Sequence, residues 1–443
     1  MSPDPEESPE PPDVDPPTPR PSAAPINAGS LPTEILLHIC FFLLPHASTL
    51  PPSKGALTSA NTVHPLVLVN RRWAAAFVFP LWRTLSVPPG RVAQVADTLW
   101  RPNAATFPYG KFVRGVDLAR ASGEDLFARR ILMTAPPPPL VDLRLRGIRS
   151  DAEFGRALGA VAATLRRLDL VDCTGGEWLA EIGRAAGELT HLDLSGTGAV
   201  ADATVGAFAD ASRVGLRVLR VARCGRITDK MVGCVQWRCR NLEVLDVGGT
   251  RIGLAGIVAF TEAAAGLRWL GIERLAVARM DAPQLAGALA RLPGLVHLEV
   301  ANTAAGCMAV SEAARDNGLP HLVSLRIGHD EFLEEPTCRM LFARLPNLQT
   351  LSFPSHTLLP DRSLRAILSR CRTLKSLDLP DVDVSERLAL LSPSTLFALP
   401  GCCPKLEFAR LVGHLVSDDN GGAEDLRRGV GGAGETVRGA EEG

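Results

Sequence analysis

Three observations predict an α/β solenoid, with a parallel inner sheet and outer helices, preceded by a small all-α element. From residue 113 onward one phrase, apolar-x-x-apolar-x-apolar, returns twelve times, from VRGVDL (113) through LTHLDL (189) and LEVLDV (242) to a degraded LEFARL (406). The phrases start 24 to 28 residues apart until a last step of 32. Between them lie stretches such as DKMVGCVQWRC (229–239), PQLAGALARL (283–292) and SLRAILSRC (363–371), whose apolar residues fall three and four apart.

Each element follows from these spacings. The second and third apolar residues of a phrase are two apart, so they point to the same side of a strand. The intervening periodicity is that of a helix with one apolar face. A strand plus a helix at this period is the signature of leucine-rich repeats, in which no unit can bury its core without its neighbours. About twelve repeats are expected over 113–415, with an inner face about 50 Å along its arc at ~4.8 Å per strand. The unit 216–242 resembles the cysteine-containing subtype of these repeats: Cys224 follows the strand, Ile227-Thr228-Asp229 opens the helix and Cys239 closes it. Thr228 or Asp229 can cap that helix, and the two cysteines would be small core plugs. The long last step and Ala409 suggest a capping end.

Composition limits what the chain does. It has 443 residues, 46% hydrophobic, and a formal charge of -1, which gives no global field to attract nucleic acid or an anionic membrane. Its ten cysteines are scattered without paired CxxC clusters, the pattern of buried thiols in a reducing compartment; no metal and no cofactor is expected. Residues 1–28 are rich in proline and acid and 416–443 in glycine and charge, too poor in apolar residues to fold. The apolar run ILLHICFFLL (35–44) has no basic stretch before it and is about half the ~20 residues that a membrane crossing requires. A soluble chain, cytoplasmic and/or nuclear, is expected.

That run sits in LPTEILLHICFFLLP (31–45), a helix apolar around most of its surface. An ordinary surface helix would keep one face polar. Together with LVLVNRRWAAAFVFPLWRTL (66–85) it resembles the F-box, in wording similar to that of fungal members: an opening Leu-Pro, a Glu-Ile-Leu helix, an Arg-Arg-Trp helix and a closing Leu-Trp-Arg. Pro32 suits the first helical position. The resemblance spans 29–88, followed by a linker over 89–112. A Pro-, Ser- and Gly-containing loop at 46–65 makes the connection about fifteen residues longer than usual, at little cost in free energy.

The F-box resemblance implies a partner, a Skp-family adaptor whose apolar groove covers the surplus helix face, and through it a cullin-RING ligase. The family's adaptor-contacting positions fall on Leu31, Pro32, Ile35, Leu36 and Ile39. Val69, Trp73, Leu81 and Trp82 follow in the second half, where some hold the element together without touching the partner. An F-box followed by leucine-rich repeats resembles the substrate receptor of an SCF-type ubiquitin ligase, a subunit without catalytic residues that holds an unidentified protein near the conjugating enzyme. The alternatives are a repeat scaffold whose N-terminal helices form a cap, unconnected to ubiquitin, and a GTPase activator of the leucine-rich-repeat kind.

The target surface is expected on the open face of the sheet. The residue between the second and third apolar positions reads Asp117, Arg144, Asp169, Asp193, Arg220, Asp246, Gly271, Glu299, Arg326, Ser352, Asp378, Arg410, a lane of mixed charge. An exposed tryptophan is the kind of anchor that dominates an interface, so Trp269 is singled out with Asp193, Asp246 and Glu299. Asp at this position also suits a solvated face. SGTGAVA (195–201) has the outline of a dinucleotide loop, but its glycines fall where the repeat needs a turn. No Gly-x-Ser-x-Gly, Walker loop or His-Glu-x-x-His occurs.

Overall fold

The computed structural model describes residues 112–119, 125–133, 139–149, 151–315, 318–328, 335–353, 361–379 and 401–411, together with 35–36, 73–74, 83–87 and a few single positions. The chain divides into two compact units, Met1–Arg83 and Thr84–Gly443.

In the second unit thirteen strands form one sheet in sequence order, each parallel to the next. They are β1 (Thr84–Ser86), β2 (Gly115–Asp117), β3 (Asp142–Arg146), β4 (Arg167–Val171), β5 (His191–Asp193), β6 (Val218–Arg220), β7 (Val244–Asp246), β8 (Trp269–Gly271), β9 (His297–Glu299), β10 (Ser324–Arg326), β11 (Thr350–Ser352), β12 (Ser376–Leu379) and β13 (Phe408–Leu411). Among the described residues ten helices lie between them: α1 (Asp125–Leu132), α2 (Ala152–Gly159), α3 (Trp178–Ala185), α4 (Asp202–Ser212), α5 (Asp229–Val235), α6 (Leu254–Ala263), α7 (Ala282–Ala290), α8 (Gly306–Arg315), α9 (Glu335–Phe342) and α10 (Asp361–Arg370). This is the α/β solenoid of leucine-rich repeats. All twelve phrases carry a strand.

One strand precedes them. Thr84–Ser86 pairs in parallel with Gly115–Asp117, so the sheet begins inside the 29–88 segment that resembles the F-box and has thirteen strands, not twelve. The cause is legible after the fact: residues 82–87 read WRTLSV, the same phrase with Trp82, Leu85 and Val87 at its apolar positions. Leu85 and Val87 are buried, and Leu85 pairs with Val116 of the next strand.

The core is a stack of the phrases' leucines. The middle apolar residue of each strand from β3 to β12 is at most 1% exposed, and full burial of such a side chain contributes roughly 1.5–3 kcal/mol. Facing them from the helices are residues such as Phe154, Phe208, Phe260 and Phe342, all 1% exposed or less. Cys224 and Cys239 are buried too, and the Cys224 thiol donates to the Leu194 carbonyl at 3.2 Å. Burial pushes both thiols up to about 11. They are core plugs, as their unit's pattern implies.

The strands β3 to β9 exit through a left-handed residue two places beyond the phrase. Gly147, Asp172, Gly196, Arg223, Gly249, Arg274 and Asn302 hold this place in seven successive repeats, with φ between 54° and 74°. Each N–H there continues the ladder, as Gly196 does to the Ala222 carbonyl at 2.7 Å and Arg223 to that of Gly248 at 2.6 Å. Gly196 therefore serves the repeat turn and not a dinucleotide loop.

In the first unit, residues 35–36 and 73–74 are helical. Leu36 is 0% and Trp73 7% exposed, whereas Ile35 is 47% exposed. Among the described residues no helix is long and apolar enough to cross a membrane.

Candidate protein-binding face

The open face of the sheet is built by strand alternation. In most strands the central residue is buried and its two neighbours are half-buried, so the third and fifth positions of each phrase form two lanes of side chains. Strand pairing places the fifth-position residues in register without a slip: Asp169 beside Asp193, Asp193 beside Arg220, Arg220 beside Asp246, Asp246 beside Gly271 and Gly271 beside Glu299. The third-position lane runs parallel, with His191 next to Val218 and Trp269 next to His297.

Three of the four residues singled out from the sequence come together. Asp246, Trp269 and Glu299 lie on the adjacent strands β7, β8 and β9. Asp193 lies two strands before Asp246 and is linked to the group through Arg220. The Arg220 guanidinium is 4.0 Å from the Asp193 carboxylate and 5.3 Å from the centroid of the Trp269 ring, within cation–π range. Arg220 and Gly271 are members of the group that the sequence reading passed over. A methyl on Gly271 would sit 2.7 Å from Oδ1 of Asp246 and 2.7 Å from Cη2 of Trp269. The missing side chain is what allows the indole and the carboxylate to lean into one space.

The carboxylates of this group are poorly neutralised. Oδ1 of Asp246 accepts the Gly248 N–H at 3.1 Å, and no cation lies within ion-pair distance among the described residues. Burial, aided by the nearby Glu299 and Asp193 charges, pushes its carboxyl up to about 7. Burial also raises Glu299, partly offset by Arg326, whose Nε is 3.2 Å from Glu273. Further back, burial raises Asp169 to about 6 although Arg167 holds it with Nε at 2.9 Å. His191 and His297 are both lowered, chiefly by burial. Buried charge without a matched partner inside the chain is costly.

The expected adaptor-contacting residues fall mostly elsewhere. Leu31, Pro32, Ile39, Val69, Leu81 and Trp82 lie outside the described residues. Of the remaining three, Leu36 and Trp73 are buried within the chain, and Ile35 presents apolar surface to solvent.

The family described as Leucine Rich repeat matches residues 238–260, a stretch holding Cys239, β7 and most of α6. No curated protein matches the chain. Among solved structures it is similar to one described as "Crystal structure of Rad7 and Elc1 complex in yeast", at 14% identity and a TM-score of 0.35, over 78% of this chain and 97% of that one.

Proposed function

We propose that the chain is the substrate-recognition subunit of an SCF-type ubiquitin ligase, with an F-box that docks a Skp-family adaptor and a repeat sheet that holds the protein to be modified. The observation that carries this reading is the ordered occurrence of Leu31-Pro32, Arg71-Arg72-Trp73 and Leu81-Trp82-Arg83 directly ahead of a leucine-rich-repeat solenoid. The exposed Ile35 next to the buried Leu36 suits a helix that offers apolar surface to a partner. Such a receptor does no bond chemistry. It raises the effective concentration of a target lysine near the charged conjugating enzyme and orients it. The Asp246–Trp269–Glu299 group is the part of the open face assigned to the target, because an aromatic held in place at little entropic cost is the usual centre of an interface.

The test is co-purification of the full chain with a Skp-family adaptor, compared with a Leu31→Ala, Pro32→Ala variant. A stable complex that is lost in the folded variant supports the receptor reading. If the intact, folded chain forms no complex, the N-terminal helices serve as a cap on the repeats and the link to ubiquitin falls.

A further inference from the structure

The near-neutral total charge hides a segregation of charge between the two edges of the sheet. The ten residues that enter each of β4 to β13 contain fourteen basic and seven acidic residues, a net of +7. The ten that follow each of β3 to β12 contain ten basic and seventeen acidic, a net of -7. The entering segments share one edge of the solenoid, because the ladder runs unbroken through it: the Arg217 N–H donates to the Thr190 carbonyl at 2.9 Å, Glu243 to Arg217 at 2.8 Å and Arg268 to Glu243 at 2.8 Å. Parallel strands put every entry on the same side.

All fourteen cations of this rim are exposed, and twelve are arginines. Three make carboxylate pairs, Arg217 with Glu243, Arg238 with Asp210 and Arg291 with Glu262. The other eleven, among them Arg166, Arg184, Arg240, Arg268, Arg344 and Arg372, have no ion pair among the described residues. Helix C-termini favour cations, but that effect is local to each helix end and does not explain tripled charge such as Arg370, Arg372 and Lys375 before β12. In the middle of the rim stands Trp237, 65% exposed, between Gln236 and Arg238 and close in sequence to Arg240.

We infer that this rim binds single-stranded nucleic acid, with the arginines on the phosphates and Trp237 stacked on an unpaired base. Ten strand entries at ~4.8 Å give a cationic track about 40 Å long. Exposed arginines gain little from isolated carboxylates, whereas a polyphosphate strand releases condensed counterions along the whole track and guanidinium matches phosphate bidentately. An exposed indole among arginines adds a stacking platform that an acidic polypeptide would not use. This site is independent of the F-box and of the open face.

The experiment is fluorescence anisotropy of a labelled oligothymidylate of about twenty nucleotides with the full chain at low salt. Expected is binding that weakens steeply with salt. The triple variant Arg240→Glu, Arg268→Glu, Arg372→Glu should weaken it at least ~tenfold and flatten the salt slope; the milder Gln triple should do the same to a lesser degree. Trp237→Ala should weaken binding ~tenfold without changing the slope. Arg226→Gln, an exposed cation on the opposite edge, should leave it unchanged. The inference is overturned if the intact chain does not bind, if the folded triple variants bind as well as the intact chain, or if a duplex or poly-glutamate of equal charge binds as tightly.

Discussion

At the residue scale, Gly271 decides what the open face can present. It occupies a lane position that in ten of the other twelve strands carries Asp, Glu or Arg, with Ser86 and Ser352 the remaining two. Gly271→Ala would push a methyl against Asp246 and Trp269, both partly exposed side chains able to yield, so the cost should be about 1 kcal/mol, the low end of overpacking. The sharper readout is the freed indole: its emission should shift to longer wavelength, and a target held by Trp269 should bind less well. An unchanged emission spectrum would remove Gly271 from the site. Asp246 makes a second point. Its folded carboxyl titrates near 7, above the ~3.9 of an unfolded chain, so between about pH 4 and 7 the folded state binds more protons and stability falls as pH rises. Asp246→Asn keeps an acceptor for the Gly248 N–H and removes that charge. Urea unfolding should find it more stable than the natural chain at pH 7.5, with the advantage gone below ~pH 4. A carboxylate kept at such a cost to stability is what a binding face would retain.

At the element scale, two successive helix starts, those of α5 and α6, are each fastened to the one before. Both carboxylate oxygens of Asp202, the first residue of α4, accept from Thr228, the N-cap of α5: its N–H at 2.8 Å and its hydroxyl at 2.7 Å. Asp229, first in α5, accepts the N–H of Gly253, the N-cap of α6, at 2.8 Å. A negative group there also suits the helix N-terminus. Asp202→Ala should cost ~1–2 kcal/mol, and hydrogen exchange should quicken at the amides of α5 more than at those of α3. Equal quickening in both would mean that the carboxylate acts only within its own helix. None of this fastening could be read from spacing, since it joins residues 24 and 26 apart whose geometry depends on the stacking. The strands could. Phrase, step and alternation placed twelve strands and the register of the charged lane, because period two and a constant step leave no other pairing. The first strand is hidden for a specific reason: Trp82, Leu85 and Val87 lie in the segment that resembles the close of an F-box, and the same six residues satisfy both patterns. Likewise the lane order Asp246, Gly271, Glu299 was legible, but the reach of Arg220 across to Trp269 needed side-chain conformations.

At the scale of the whole molecule, a solenoid has no single centre, and each repeat is stabilised mainly by its two neighbours. Packing in this chain follows that rule, since strand pairs only with preceding and following strand from β1 to β13. The same substitution should therefore have different global effects at different places. Leu219, in β6, and Leu377, in β12, are both 0% exposed at the same position of the phrase. Each change to Ala removes comparable apolar contact and leaves a cavity, at about 2–5 kcal/mol. In the middle, Leu219→Ala weakens the interface through which the repeats on either side stabilise each other. Chemical unfolding should then split into two transitions, with a shallower slope for each because each exposes less surface. Near the end, Leu377→Ala should free only the last repeats, seen as fast exchange in α10 and β13, with the main transition kept at nearly its natural midpoint. If both variants instead unfolded in one transition displaced by the same amount, the sheet would be cooperative along its whole length. The array would then act as one globular core, and a partner bound at the Asp246–Trp269–Glu299 group would stabilise every repeat equally rather than those nearest to it.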